Sequence, residues 1–214
     1  PVLEHYPKIE HSRDREIIGK WLNVSLVKRL FGGTSDSVLN QIRKAFTDNV
    51  VETPIAENIS IFPTQDINKE IRKDTGVSDE FIEELLMTQK DDRYAFSLLA
   101  LLFPQLDFKN NDFHKDHLHP VSKYDELSEQ NKEKFGWQTY NSLKNLQMLD
   151  ANENMSKNGE DLESWVTKES KSKQKDAFLV NHYIPDVSLE LSNFDEFITK
   201  RTEVLTKKLK EILA

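Results

Sequence analysis

The sequence predicts an α+β protein that is predominantly helical, and three observations carry that prediction. In the first hundred residues, apolar side chains recur with a period of about 3.6, the spacing that gives a helix one buried stripe. After Pro104 the texture changes: Phe108 to His119 mixes aromatic, histidine and acidic residues without helical spacing. Leu146 to Leu149 is a short hydrophobic run of strand length, with helical patterning resuming from Asn152. The chain accordingly divides into a helical N-terminal and linker region, 1–104, and a region 105–214 that holds a small sheet and a closing helix.

Each element has a local cause. Glu16 to Phe31 places Ile17, Ile18, Trp21, Leu22, Leu26, Leu30 and Phe31 on a helical stripe, and Gly32-Gly33 ends it. Ser35 or Asp36 can cap a second helix through Val38, Leu39, Ile42 and Phe46. Val51 to Asp66, with Pro54 and Pro63, reads as connector, and Ile67 to Lys73 as a short helix. Ser78 is placed to cap another helix, with Asp79 and Glu80 at its positive end and Phe81, Ile82, Leu85 and Leu86 facing inward. Asp92 to Phe103 is apolar nearly all round, as a buried helix is. Between the two strand candidates lies a polar insertion from Val121 to Lys144, helical near Asp125 to Tyr140. Asp161 to Glu169 reads as a helix. Lys168, Lys171, Lys173 and Lys175 then form a basic, solvated linker. Asn193 caps a final helix burying Phe194, Phe197, Ile198, Leu205, Leu209 and Ile212.

Composition narrows the function classes. With 214 residues, 37% hydrophobic and 31% charged, the chain can bury a core and is no disordered tail. The apolar stretch around Phe96 to Phe103 is too short to span a bilayer, so no membrane partner is expected. There is no cysteine, which removes disulfides and thiolate zinc sites and fits a reducing cytoplasm. A net charge of −8 argues against a protein that merely coats nucleic acid. It does not argue against an enzyme that meets phosphates through a local patch and a bound cation. Because the chain starts at Pro1 rather than Met, it is expected to be a fragment or a processed product.

Chemistry concentrates in Phe113-His114-Lys115-Asp116-His117-Leu118-His119-Pro120 and in Asn145 to Asn154, two asparagines nine positions apart. Hydrolysing a phosphodiester needs a group to take a proton from water and a charge to stabilise the phosphorane and the leaving oxygen. A neutral histidine suits the first task, and a hard divalent cation with oxygen ligands suits the second. Adjacent strand residues point to opposite sides, but a bend where Pro120 breaks pairing would bring Asp116 and His117 to one cleft. Asp116 would then hold the cation and leave His117 free as base, with asparagine oxygens from the following helix completing the shell. Zinc held by His114, His117 and His119 is a weaker alternative, since a strand faces the three unevenly and no thiolate is present.

Asp116-His117-x-x-Pro120, then Asn145-Leu146, then Asn154, resembles the motif of HNH, or ββα-metal, nucleases, which include colicin-type DNases. More narrowly, the chain from about Leu26 to its end resembles the C-terminal half of GmrSD-type restriction endonucleases. The matching pieces include Asn145 to Leu149, Asn154 to Asn158, Trp165 and the closing Asn193 to Arg201. The resemblance implies a ββα-metal module within 105–214, with His117 as general base and Asp116 and Asn154 as ligands of Mg²⁺, with Mn²⁺ as its substitute. It implies that Asn145 pins the loop between the strands and orients the histidine. Asn158 matches a metal-binding histidine of the colicin branch, although an amide is the poorer ligand. Lys157 is a candidate phosphate contact, and His119 a candidate site-lining residue.

The expected function is therefore hydrolysis of DNA by the nuclease part of a larger bacterial restriction or phage-defence protein acting on modified DNA. A missing N-terminal nucleotide-hydrolysing domain would be its partner. The rival expectation is an inactive module on the same scaffold, binding DNA or protein.

Overall fold

The computed structural model describes residues 12–33, 35–49, 62–171 and 174–213, which fall into two compact units, one up to Val77 together with the residues from Ile212, the other Ser78–Glu211. The described residues are mostly helical, with one two-stranded antiparallel sheet. No helix of the described residues is long and apolar enough to cross a membrane.

The first unit contains α1 (Ser12–Val27), α2 (Ser35–Asn49) and α3 (Thr64–Glu70). Trp21, Leu30, Val38, Ala45, Phe46, Ile67 and Ile71 form its core, and Phe62 meets the edges of Trp21 and Phe46 at 5.7 and 5.9 Å. The sequence carries the first helix to Phe31, but the chain leaves it at Val27. Arg29 takes a left-handed conformation (φ 53°), with Leu30 N–H bonded to Ser25 O and Arg29 N–H to Leu26 O. That paired bonding ends the helix before the glycines are reached. The expected connector lies largely outside the described residues. Its last residues, from Thr64, instead form the first turn of α3.

The second unit opens with α4 (Asp79–Leu86), capped as expected by Ser78, whose Oγ accepts from Phe81 N–H at 3.2 Å. The next helix, α5 (Ala95–Leu102), is shorter than the apolar run suggests. The Asp92 carboxylate accepts from Tyr94 N–H at 2.7 Å, which spends its first residues on a turn, and Phe96 stays exposed. Strand β1 (Phe113–His117) pairs with β2 (Leu146–Asp150) in the register Phe113↔Asp150, Asp116↔Gln147, His117↔Leu146.

Between the strands, the 3₁₀ turn Val121–Glu126 leads into α6 (Glu129–Tyr140), broken at Gly136 (φ 64°, ψ 177°), a conformation that glycine alone adopts without strain. Then come α7 (Ala151–Lys157), which packs on both strands, α8 (Leu162–Glu169), α9 (Lys175–Asn181) and α10 (Phe194–Leu213). Helix α9 corrects the sequence reading of a basic linker. Lys168 lies in the last turn of α8 and Lys175 opens α9, while Lys173 falls outside the described residues. A helix of seven residues is too short to show a period, yet its Phe178 and Leu179 are buried in the core with Leu118, Tyr140, Leu149, Trp165, Phe194 and Phe197. Helices α4 and α5, which the sequence groups with the N-terminal region, belong to the same unit as this core.

Candidate active site at the junction of the two strands

The order β1, insertion, β2, α7 brings the two sequence clusters together, and Asn145 is the joint between them. Its side chain is completely buried; Oδ1 accepts from His119 N–H at 3.0 Å, and Nδ2 donates to His119 O and Tyr140 O, both at 3.0 Å. Its backbone O accepts from Leu118 N–H at 2.8 Å. The amide thus continues the sheet past the last strand pair, just before Pro120, which has no N–H to offer. Tyr140 closes the same corner, its hydroxyl donating to Pro120 O at 2.8 Å.

His117, the last residue of β1, is buried with its Nε2 2.9 Å from Asn141 Oδ1 and its ring stacked on Tyr140. The neighbouring amides fix the direction of that bond. Gln89 Nε2 donates to the carbonyls of Met87 and Gln138, so Gln89 Oε1 turns to Asn141 and accepts from its Nδ2. Asn141 Oδ1 is left to accept Nε2–H of His117, which places the imidazole lone pair on Nδ1. Burial, helped by the ammonium of Lys90, pushes the His117 pKa down to about 4, so the ring is neutral at physiological pH.

Asp116 points to the other side. Its Oδ2 accepts from Gln147 Nε2 at 3.1 Å and pairs with Lys157 Nζ at 3.0 Å. Lys157 is itself buried, donates to His117 O at 2.6 Å and sits over the Trp165 ring. Burial lowers its pKa, and Asp116 opposes that shift. Gln147 is fully buried and uses Oε1 on His182 Nδ1 at 2.9 Å. Strand pairing runs through His117 and on to the Leu118 N–H, so the bend expected to turn both side chains to one side is absent up to Leu118, and Asp116 and His117 have separate partners. Lys157 touches both residues, one through its carboxylate and the other through its carbonyl.

The remaining candidates separate. Asn154 lies one turn before Lys157 on the same face of α7, half-buried, and its side chain makes no hydrogen bond among the described residues. Asn158 ends the helix in the left-handed region (φ 34°, ψ 50°), with its N–H on Asn154 O and its side chain exposed. Asparagine tolerates that conformation better than most residues, which accounts for its presence there. His119 is buried edge-on between Phe194 and Phe197, at 5.5 and 4.6 Å, and burial drives its pKa down to about 3. Its Nε2 has no hydrogen-bond partner among the described residues. His114 is exposed, so the three histidines diverge.

No group of three or more His, Asp or Glu side chains that could hold a metal occurs among the described residues. The oxygen donors available are the Asp116 carboxylate, whose Oδ1 is unbonded among those residues, and the Asn154 amide. One carboxylate, one amide and water fit a hard cation such as Mg²⁺ better than zinc.

Sequence reasoning missed Asn141, Lys90, Gln147 and Arg201. Gln147 follows from the strand register once β1 and β2 are paired. Arg201 had a signal of its own: it occupies the apolar stripe of α10 with Phe194, Phe197, Ile198 and Leu205. There it is completely buried and donates to Leu146 O and His182 O at 2.7 Å and to Tyr183 O at 2.5 Å. It therefore anchors the first residue of β2, the register partner of His117. Burial pulls its pKa down to about 9. Asn141 and Lys90 carry no signal in one sequence. No protein-family model matches the chain, and no curated protein matches it significantly.

Proposed function

We propose that this chain is a metal-dependent endonuclease of the HNH kind that hydrolyses DNA phosphodiester bonds. The observation that carries the reading is a neutral, oriented His117 at the end of the first strand of a ββα unit. The strand junction of that unit is locked by Asn145, and its helix carries Asn154. His117 Nδ1 takes the proton from the attacking water, while Asn141 holds Nε2–H and keeps the lone pair in place. Asp116 and Asn154 would hold Mg²⁺ or Mn²⁺, which when bound supplies positive charge for the phosphorane and the departing 3′ oxygen. Asn145 acts through the backbone, fixing the turn that follows His117.

The further reading, a restriction or phage-defence nuclease for modified DNA with a nucleotide-hydrolysing partner domain, is supported by the sequence resemblance alone. With a net charge of −8, affinity for DNA must come from a local patch, the cation or that partner.

A second reading has one observation in its favour. The Asp116 carboxylate already has a buried ammonium beside it, as a silent scaffold that binds DNA or protein would have. Incubating supercoiled plasmid with the protein and Mg²⁺ or Mn²⁺, beside His117→Ala, separates the two. Cleavage by the parent and its loss in the variant are expected. Cleavage that survives the substitution refutes His117 as base, and tight DNA binding without cleavage by the parent establishes the scaffold.

A further inference from the structure

We propose that Lys157 and the divalent cation compete for Asp116, so that the site is held shut by its own lysine until the cation displaces it; the proposal rests on the metal-dependent reading above. Two contacts fix the lysine. Its Nζ lies 3.0 Å from Asp116 Oδ2 and 2.6 Å from His117 O, so one ammonium ties down the last two residues of β1. The ion pair is lopsided in exposure: the Lys157 side chain is 1% exposed and that of Asp116 18%. Solvent thus reaches the Asp116 side chain where it does not reach that of Lys157, and Oδ1, unbonded among the described residues, is the oxygen left for an incoming cation.

Helix geometry joins competitor and ligand. Asn154 and Lys157 are three residues apart on α7 and share its inner face. A cation shared by Asp116 and the Asn154 amide would therefore lie close to the lysine. Burial works against the Lys157 ammonium and Lys90 adds a second ammonium nearby, while Asp116 and Glu160 are the carboxylates that hold it. A single carboxylate with an amide is a thin donor set for a divalent ion. Like charges this close repel strongly away from bulk water, so removing the ammonium should tighten cation binding markedly.

The test is Mn²⁺ titration followed by the electron paramagnetic resonance of the free ion, using the intact chain, Lys157→Met, Lys157→Gln and the double variant Asp116→Asn, Lys157→Met. The two single variants should bind Mn²⁺ about tenfold more tightly or better, a difference of one decade in Kd. The double variant should lose that gain. Should Lys157→Met fail to fold, Lys157→Gln keeps a donor for His117 O. The parent offers a further readout: acetylation of Lys157, followed by mass spectrometry, should speed up when Mn²⁺ is added. Equal affinity in the parent and both single variants, or a gain that persists without Asp116, overturns the competition. Plasmid cleavage keeps the two ideas apart. Cleavage by the parent with no affinity difference sinks only the competition; absence of both cleavage and Mn²⁺ binding in every protein sinks the metal-dependent reading as well.

Discussion

On one side of β1, His117 is buried against Tyr140 and Asn141 as a neutral ring; on the other, Asp116 meets a buried lysine and a buried glutamine. One step along the strand separates two solutions to the same problem. A buried ionisable group either gives up its charge or keeps a partner of opposite sign. The histidine side takes the first course and gains a base with a free lone pair. The lysine side takes the second and leaves a carboxylate that can exchange one cation for another. Perturbations should therefore act differently on the two sides.

The largest expected effect is on rate. His117→Gln removes the proton acceptor and should slow plasmid nicking roughly 100- to 10,000-fold, the usual contribution of a general base, while the thermal midpoint changes little. Nicking that continues at the parental rate would place the base elsewhere. Next comes Asn145→Ala, which acts on the joint shared by both sides. It strands His119 N–H and two carbonyls in a dry corner. At about 1 kcal/mol or more for each buried bond lost, the cost is about 3–5 kcal/mol, read as a lower urea midpoint at unchanged slope. A loss of activity without loss of stability would contradict an architectural role. Asn141→Ala comes third. It frees the ring of His117 without touching the backbone and should cost about tenfold to a hundredfold in rate, some 1.4–2.8 kcal/mol. Asn141→Asp, which still accepts from Nε2–H, should recover part of that loss.

How much of this was legible in the sequence depends on the range of each signal. The two strands, the helix after them and the Ser78 cap could be read because period and capping are local. The end of α1 could not: Arg29 in a left-handed turn outranks two glycines that advertise a stop three residues later. Helix α9 was hidden because its two buried apolar residues supply no repeat. In the site, the clusters around Asp116 and Asn154 were legible, yet the sequence showed neither that Lys157 pairs with Asp116 nor that Asn141 holds His117. The first depends on how α7 folds back over the two strands and the second on where the insertion ends, and no local pattern encodes either. Asn158 carries a second, local signal, since an asparagine that ends a helix in the left-handed region has a backbone reason to be there.

The last test probes the histidine side by acid, and its effect vanishes at neutral pH. His117 and His119 have folded pKa values near 4 and 3, both depressed below the ordinary value of 6.5. Above pH 6.5 neither state takes up a proton, and the full stability is present. As the pH falls below 6.5, the unfolded chain binds protons that the folded chain refuses. Stability then drops by about 1.4 kcal/mol per pH unit for each ring, until the folded pKa is reached. Denaturant melts from pH 7 to pH 4 should show that slope. His119→Leu keeps the backbone bonds to Asn145 and removes an imidazole whose Nε2 has no partner among the described residues. The variant should be close to the parent at pH 7 and gain on it by about 1.4 kcal/mol per unit below pH 6.5. A parallel fall in parent and variant would mean that His119 carries its proton in the folded chain. That would require water or an unseen partner to reach Nε2 between the rings of Phe194 and Phe197.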